Sequence, residues 1–333
     1  MKAYIKKIEY YLPESVLTNA QIVEKFPEWT IEKIENKIGI RTRHVVKEDE
    51  TASDLACQAV EKLFAGSSFA KESVDCLIFC SQSPDYILPS TACILQKRLG
   101  LLDSIAAYDV NLGCSGWIYG ISIAKGLVCS GISKNVLLVT AETYSKYLHP
   151  QDKGNRTIFG DGAAATLISD NGIAEIGNFV FGTDGTGAEN LIVKCGGARN
   201  RYPLNDLSFD DFGNPKSSDY LYMDGASILN YTLDRIPTLV YEVLQKNDIG
   251  IEDIDLHIYH QANRYIANLQ RRKLKIDVEK YYHCYEECGN TVSSTIPIAI
   301  FEALKDGSIQ KGYKVLSVAQ GLGYSWGGCV LTF

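Results

Sequence analysis

The sequence predicts an α/β fold, and two observations support that class. Short apolar, β-prone runs, such as 74–80 and 135–140, alternate with segments of helical spacing, such as 51–64. The second half of the chain also repeats the first, because Asp75–Ser83 resembles Asp255–Asn263 at an offset of 180 residues. An internal duplication explains this repetition.

The first half of the chain carries clear signals for individual elements. Caps such as Thr18 and stops such as Gly39 mark the helices, and the strands are mostly apolar. In order, the predicted elements are a strand within 1–15, helices from Thr18, over 31–38 and over 51–64, a strand over 74–80, a helix over 91–99, a strand over 105–110, a helix after Cys114, a strand over 135–140 and a strand after the turn at 157–162. Small residues in that last strand indicate close packing against another element.

The duplication predicts two halves, residues 1–172 and 173–333. The spacing supports this division, because 114–131 and 290–307 each contain a helical segment of similar length and position. Residues 183–225 have no counterpart in the first half and are polar and aromatic. We interpret them as an insertion over the active face.

Length and composition are those of a globular enzyme with a substantial core. The chain has 333 residues, of which 46% are hydrophobic and 22% charged, and its net charge of −7 argues against nucleic acid as the main partner. The sequence contains no apolar run of 18 residues, so no membrane span is predicted. The N-terminus begins with a strand pattern rather than with the apolar core of a signal peptide. Ten cysteines without a secretion signal predict free thiols in a reducing cytoplasm.

Neither a metal site nor a phosphate-binding loop is predicted. His283, Cys284 and Cys288 lie close in sequence, but their spacing is not that of a standard ligand pair, and no second pair exists. The glycine-rich stretches 182–187 and 321–323 lack the strand–helix frame that a phosphate loop requires.

Cys114 is the candidate nucleophile. The apolar run 105–110 is followed by Gly113, and small residues then lead into a helical segment, so Cys114 lies near a helix N-terminus. Unpaired backbone N–H groups and the helix dipole favour the thiolate there, and Gly113 and Gly116 allow an acyl group to approach the backbone. The alternative is that Cys114 is one more buried cysteine, packed as a small hydrophobe.

Two polar residues of the second half complete the candidate site. His260 and Asn290 lie where apolar strands end, on loops or helix starts, which is where ligands collect in α/β layers. In two pseudo-symmetric halves, Cys114 and Asn290 take matching places, with His260 on the neighbouring strand end. Taken singly, His260 is also compatible with a core histidine, and Asn290 with a turn residue.

Three motifs in chain order resemble those of the β-ketoacyl-ACP synthase III family of the thiolase superfamily; they are Gly113–Gly116, His260–Asn263 and Gly289–Thr291. Supporting matches are Gly39–Arg41, Pro84–Asp85, Pro89–Ser90, Phe159–Gly162, Ile296–Pro297 and Gly321–Gly327. The likeness runs from Tyr11 to Phe333, which is almost the whole chain. It implies the thiolase fold, an α/β architecture of five layers, αβαβα, built by duplication.

The resemblance also implies an acyltransferase that performs a decarboxylative Claisen condensation. Cys114 would take an acyl group from acyl-CoA or an acyl carrier protein, and backbone N–H groups of Cys114, Leu322 and Gly323 would bind the oxyanion. His260 and Asn290 would bind the thioester carbonyl of a malonyl group carried by acyl carrier protein. They would stabilise the enolate left by loss of CO₂, which attacks the acyl-cysteine. No metal or redox cofactor is needed.

Departures from the family's usual pattern concern the residues that bind CoA. Where the family has a Trp and an Arg that grip the adenine, this sequence has Lys33 and Lys37, and Trp29 is displaced four residues earlier. Lys153 replaces another CoA-contacting Arg. Lysine binds phosphate but does not stack as arginine does.

Other departures concern the carrier, the pocket and the partner subunit. Arg264 comes one residue early for the arginine that docks the carrier protein, and Leu322 replaces the middle glycine of the usual triple-glycine turn. Leu88 lies where a partner's loop usually closes the acyl pocket, and we expect a homodimer. These departures are compatible with a donor other than acetyl-CoA and with a specialised pathway.

Two alternatives stay open at this point. One is a same-fold acyltransferase that moves the acyl group from Cys114 to an oxygen or nitrogen nucleophile. The other is a non-catalytic scaffold subunit, against which the intact Cys114 argues. A hydroxymethylglutaryl-type synthase would need a carboxylate base near Cys114, and the sequence shows no obvious candidate.

Overall fold

The computed structural model of the chain describes residues 2–67, 69–211 and 213–333. Residues 1, 68 and 212 lie outside the described residues; the first two fall in the expected first half and the third in the expected insertion.

Strands and helices alternate through most of the chain. The strands are β1 (Tyr4–Tyr11), β2 (Val16–Thr18), β3 (Thr42–His44), β4 (Cys76–Cys80), β5 (Ala106–Val110), β6 (Asn135–Glu142), β7 (Gly162–Ser169), β8 (Ala174–Thr183), β9 (Leu191–Ile192), β10 (Ser208–Phe209), β11 (Pro215–Lys216), β12 (Tyr222–Met223), β13 (Leu256–Tyr259), β14 (Lys314–Gly321) and β15 (Ser325–Thr332). The α-helices are α1 (Asn19–Lys25), α2 (Ile31–Lys37), α3 (Ala52–Phe64), α4 (Thr91–Arg98), α5 (Gly116–Cys129), α6 (Gly225–Asn247), α7 (Arg264–Lys273), α8 (Tyr285–Cys288) and α9 (Thr295–Lys305). Most predicted elements of the first half agree with these bounds to within two residues.

Local signals explain several of these bounds. Thr18 starts α1 with a capping box, and the Thr30 hydroxyl caps α2. Gly39 stops the chain from continuing α2, because its φ of 79° is a left-handed conformation. A side chain at this position would also collide with Arg264, since an added Cβ would lie 2.5 Å from Arg264 Cβ.

One large sheet contains strands from both halves of the chain. Its strand order is β13-β14-β15-β8-β1-β7-β6-β4-β5, and β1 joins β8 through only two residue pairs, Tyr4–Glu175 and Ile5–Ala174. On each side of this join, antiparallel strands lie near it and parallel strands lie farther out. The two parts therefore repeat one strand order, which supports the proposed duplication. The boundary near residue 172, between β7 and β8, stays a prediction.

The two faces of the sheet pack against different helices, which produces five layers. Along β6, Val136 and Leu138 belong to the cluster that contains α5 and α9, whereas Leu137 and Val139 pack with α3 and α4. The other part of the sheet likewise packs against α5 and α9 on one face and against α6 and α7 on the other. Because α5 and α9 contact both parts, they form the central layer. The expected αβαβα architecture is confirmed.

The segment 183–225 folds into short strands between β8 and α6. β9 pairs with β12 and β10 pairs with β11, in two separate two-stranded sheets. Leu191 and Met223, which pair in the first of these, line an apolar cavity of about 530 Å³. This contact supports an insertion over the active face, which stays a prediction.

Candidate active site

The three candidate catalytic residues line one cavity. This cavity has a volume of about 530 Å³, and Cys114, His260 and Asn290 all form part of its wall. Cys114 lies two residues before α5, His260 directly follows β13, and Asn290 lies five residues before α9. The central position of α5 and α9 therefore brings together residues that are far apart in the sequence.

The Cys114 thiol is protonated in the resting protein. Cys114 is only 9% exposed and belongs to an apolar cluster with Tyr144, Phe159 and Val292. Burial, and then the negative charge of Glu142, raise the pKa of its thiol to about 12. The expectation of a thiolate at the helix start is therefore wrong, because burial and Glu142 outweigh the backbone hydrogen bond that lowers the pKa of this thiol. A reaction at this sulfur therefore requires that the thiol lose its proton.

The glycines beside Cys114 are needed for packing within the protein. A Cβ at Gly113 would collide with the Gln82 side chain, and one at Gly116 would lie 2.5 Å from Cys80 Sγ. The space that these glycines were expected to leave for an acyl group is thus filled by side chains, and that expectation is wrong.

Glu142, the last residue of β6, has a buried carboxyl group close to Cys114. Its oxygens accept hydrogen bonds from the Ser83 and Ser293 hydroxyls, each at 3.0 Å, and from the backbone N–H of Gln82. Burial raises its pKa to about 8, while these hydrogen bonds oppose the shift. Sequence reasoning missed this carboxylate, although an acidic residue that ends an apolar strand was an available signal. The hydrogen bond from Ser293 ties Glu142 to the turn that carries Asn290.

His260 is neutral and oriented by two hydrogen bonds. Its backbone N–H donates to Val318 O on β14 at 2.9 Å, and its Nδ1 lies 2.7 Å from Thr295 Oγ1 at the start of α9. The Thr295 hydroxyl also donates to Val292 O at 3.2 Å, so Thr295 links the His260 ring to the turn before α9. Burial lowers the pKa of His260 to about 3. No local sequence signal indicated Thr295.

Asn290 lies in a turn with two left-handed residues. Gly289 has a φ of 72°, and the β-branched Val292 has a φ of 56°, a conformation that costs about 1–3 kcal/mol. Asn290 Oδ1 accepts the Val292 N–H at 2.9 Å, and the Asn290 N–H donates to Ile158 O at 2.9 Å. Since Oδ1 is engaged, Nδ2 is the side-chain group available to a ligand.

Only some residues of the expected oxyanion hole line the cavity. Leu322 and its neighbour Gly321 line the cavity, whereas Gly323 is not among its lining residues. Gly321 approaches the chain just after Cys114, since a Cβ added to it would lie 3.0 Å from Ser115 N. The Leu322 side chain packs against the apolar cluster around Cys114. The roles of these backbone N–H groups stay predictions.

Of the three lysines expected to bind CoA, Lys37 lines the cavity. Lys33 Nζ lies 4.7 Å from the centre of the Trp29 ring, and Lys153 forms an ion pair with Glu28 at 2.8 Å. Trp29 lines the cavity in spite of its displaced position in the sequence, and its Nε1 donates to Lys153 O at 3.1 Å. Lys33 and Lys153 therefore lie next to Trp29 at the edge of the cavity.

Arg264 and Leu88 are not part of the cavity wall. Arg264 begins α7; its N–H donates to Ile38 O at 2.8 Å and its guanidinium to Glu35 O at 2.9 Å, so it is fixed against α2. Leu88 is 82% exposed, and its neighbour Ile87 is 79% exposed. An exposed apolar loop of this kind is typical of a surface that a partner covers.

Comparison with known proteins gives the family. Residues 108–185 match the family described as 3-oxoacyl-[acyl-carrier-protein (ACP)] synthase III, and residues 244–333 match its C-terminal unit. The chain is 35% identical over 323 residues to the beta-ketoacyl-[acyl-carrier-protein] synthase III of Caldanaerobacter subterraneus subsp. tengcongensis, covering 96% of this chain and 95% of that relative. The chain belongs to the β-ketoacyl-ACP synthase III family.

Solved structures of β-ketoacyl-ACP synthase III proteins share the fold along the whole chain. A crystal structure of a 3-oxoacyl-(acyl-carrier-protein) synthase III is 46% identical, with a TM-score of 0.97 and 100% coverage of both chains. The corresponding protein of Thermus thermophilus is 35% identical, with a TM-score of 0.87 and 99% coverage of both chains. These findings confirm the thiolase fold and the prediction of an acyltransferase of the condensing type. They favour that prediction over the same-fold acyltransferase alternative.

The described residues were also searched for a metal site and a membrane span. Among them, no group of three or more His, Cys, Asp or Glu side chains is placed to hold a metal ion. The Nδ1 atom of His283, one of the residues considered as a ligand, lies 2.9 Å from Glu286 Oε1. Within the same ranges, no helix has the length and apolar character needed to cross a membrane.

Proposed function

We propose that Cys114 is the nucleophile that accepts the acyl group in the first half-reaction of this condensing enzyme. Its sulfur attacks the carbonyl carbon of an acyl thioester, the bond from that carbon to the carrier sulfur breaks, and the proton of Cys114 passes to the departing thiolate. The backbone N–H groups of Cys114, Leu322 and Gly323 bind the oxyanion. The observation that carries the proposal is the placement of Cys114, His260 and Asn290 on one cavity wall.

His260 and Asn290 act in the second half-reaction. His260 Nε2–H and Asn290 Nδ2–H donate hydrogen bonds to the thioester carbonyl of a malonyl group carried by acyl carrier protein. As CO₂ leaves, the electrons of the broken C–C bond form an enolate, which these donors stabilise. The enolate carbon attacks the acyl-Cys114 carbonyl, and the sulfur leaves as a thiolate that takes up a proton. The product is a β-ketoacyl thioester.

The partners follow from residues at the edge of the site and on the surface. Lys37, together with Lys33 and Lys153 around Trp29, is proposed to bind the phosphates of acyl-CoA, and Arg264 to dock the carrier protein. Two copies of the chain are proposed to pair so that the exposed Leu88 loop of each is covered; the exposure of that loop supports a homodimer. The chemistry needs no metal or redox cofactor. All ten cysteines lack a disulfide partner, which supports a location in the cytoplasm.

Mass spectrometry of the intact protein tests the proposal directly. The protein is incubated with a panel of acyl-CoAs and acyl carrier proteins, and the modified residue is located by peptide mapping. We expect an acyl adduct on Cys114 that malonyl-acyl carrier protein discharges with release of CO₂ and formation of a β-ketoacyl thioester. An adduct that is discharged only by an oxygen or nitrogen nucleophile would contradict condensation, and no adduct with any donor would contradict the role of Cys114.

Replacing Thr295 tests how His260 is oriented. Thr295→Val keeps the shape of the side chain but removes the hydroxyl that bonds to His260 Nδ1. We expect decarboxylation of malonyl-acyl carrier protein to fall about tenfold, because the His260 ring then loses the hydrogen bond at Nδ1 that orients it. Acylation of Cys114 should stay within about twofold of the unmodified protein, since that step does not use His260.

Thr295→Ser is the matched control, because it keeps the hydroxyl and should restore most of the decarboxylation rate. Equal loss of acylation and decarboxylation in Thr295→Val would show a general packing defect instead. Failure of Thr295→Ser to restore the rate would also contradict the positioning role.

A further inference from the structure

Glu142 is a buried acidic residue that the proposed mechanism does not use. It is fully buried at the end of β6, and none of the ion pairs formed by the described residues includes it. Burying a carboxyl group without an opposite charge lowers stability unless hydrogen bonds offset the cost. The groups that form those hydrogen bonds therefore indicate what Glu142 does.

One of these groups belongs to the turn that carries Asn290. Ser293 Oγ donates to Glu142 Oε1 at 3.0 Å, and Ser293 directly follows Val292, whose φ of 56° is unfavourable for a β-branched residue. Asn290 Oδ1 accepts the Val292 N–H at 2.9 Å. A strained conformation persists only where its surroundings hold it. Glu142 supplies a side-chain hydrogen bond directly beside the strained residue.

The same turn is also linked to His260. The Thr295 hydroxyl lies 2.7 Å from His260 Nδ1 and donates to Val292 O at 3.2 Å. The segment next to Ser293 therefore contacts the Asn290 amide through the Val292 N–H and the His260 ring through the Val292 carbonyl. Movement of this segment would displace both side chains that are proposed to bind the malonyl thioester carbonyl.

The other hydrogen bonds of Glu142 fix it to the loop after β4. Ser83 Oγ donates to Glu142 Oε2 at 3.0 Å, and the Gln82 N–H lies 3.2 and 3.1 Å from the two carboxyl oxygens. The Gln82 side chain packs against Gly113, where an added Cβ would collide with it. Glu142 thus joins the turn of Asn290 to a loop that packs beside the nucleophile.

We propose that Glu142, acting through Ser293, is a positioning residue for the decarboxylation step. It holds the turn so that the Asn290 amide and, through Thr295, the His260 ring are directed at one thioester carbonyl. This inference rests on the proposed function, and it assigns Glu142 neither a substrate contact nor a proton transfer. Stabilisation of an enolate depends on donors that are in place before the charge develops. A loosened turn therefore lowers kcat rather than the affinity for malonyl-acyl carrier protein.

Ser293→Ala tests the proposal, because it removes one hydroxyl and leaves Glu142 in place. We expect kcat for CO₂ release from malonyl-acyl carrier protein to fall about tenfold, with KM and the acylation rate of Cys114 within about twofold of the unmodified protein. Glu142→Gln should lower kcat similarly, because its amide has one accepting oxygen where the carboxyl group has two. It should not slow acylation, since the charge of Glu142 is one cause of the raised pKa of Cys114.

A double-mutant cycle separates positioning from general damage. In the Asn290→Ala background, the effect of Ser293→Ala on kcat should shrink from about tenfold to about twofold, because only the indirect path through His260 remains. Ser317→Ala is the matched control, since Ser317 is also fully buried but lies on β14, and its hydroxyl has no partner among the described residues. This control should leave both rates unchanged.

Three results would overturn the proposal. The first is a Ser293→Ala variant with unchanged kcat, and the second is a variant in which acylation falls as much as decarboxylation. The third is full additivity of Ser293→Ala and Asn290→Ala, which would show that Ser293 does not act through Asn290. Failure of the unmodified protein to decarboxylate malonyl-acyl carrier protein would instead contradict the proposed function.

Discussion

Cys114→Ala is expected to abolish the covalent acyl adduct and to lower β-ketoacyl formation by at least about 10³-fold. Among the described residues, Cys114 is the only cysteine on the cavity wall, so no other thiol there can accept the acyl group in its place. The same variant should still decarboxylate malonyl-acyl carrier protein, because the carbonyl donors His260 and Asn290 remain. Intact-protein mass spectrometry measures the adduct, and CO₂ release measures the second half-reaction.

Cys195→Ala is the control for the loss of a thiol. Cys195 also has no disulfide partner, but it lies in the 183–225 segment and does not line the cavity. This variant should form the adduct and the product at the rate of the unmodified protein. An adduct that persists in Cys114→Ala, on any other residue, would exclude Cys114 as the acyl carrier.

His260→Ala and Asn290→Ala are expected to lose decarboxylation and to keep acylation, which is the opposite of the result expected for Cys114→Ala. Each variant removes one of the two donors to the thioester carbonyl, and loss of one such donor typically costs about 10²–10³ in rate. Decarboxylation of malonyl-acyl carrier protein should therefore fall by about that factor, whereas the acyl adduct on Cys114 should still form. If either variant loses acylation to the same extent, the division of labour between the two half-reactions is wrong.

The pH profile of decarboxylation checks the state of His260. Because burial lowers the pKa of His260 to about 3, the ring is neutral at every pH from 5 to 8. In the unmodified protein the rate should therefore show no inflection near pH 6.5, the ordinary pKa of histidine. An inflection near pH 6.5 that is absent from His260→Ala would mean that His260 is solvated and changes charge during the reaction.

Much of the fold and the identity of the candidate site were predictable from local sequence. The alternation of apolar runs and amphipathic helices, with caps such as Thr18 and stops such as Gly39, gave most elements of the first half to within two residues. The short strands of the insertion were not predictable, because two-residue strands leave no periodic signal. Cys114, His260 and Asn290 were recognisable since each follows a strong element signal and belongs to a motif.

The protonation states could not be read from the sequence. Placement near a helix start suggested a thiolate at Cys114, but burial and Glu142 raise the pKa of that thiol to about 12. Burial is a property of the packed molecule, and Glu142 lies 28 residues away along the chain. The neutral state of His260 likewise comes from burial, and its ring is oriented by Thr295, which α9 brings from 35 residues away.

By itself, the sequence determined the α/β class, the family and the three candidate catalytic side chains, because these depend on local patterns and on the order of motifs. Only the tertiary structure decided how those side chains are charged, oriented and surrounded. It surrounds Glu142 with hydrogen-bond donors, fixes His260 through Thr295 and places Trp29 on the cavity wall. The physical reason is that solvent exclusion and hydrogen-bond pairing arise between segments distant in sequence, which meet only when the layers pack.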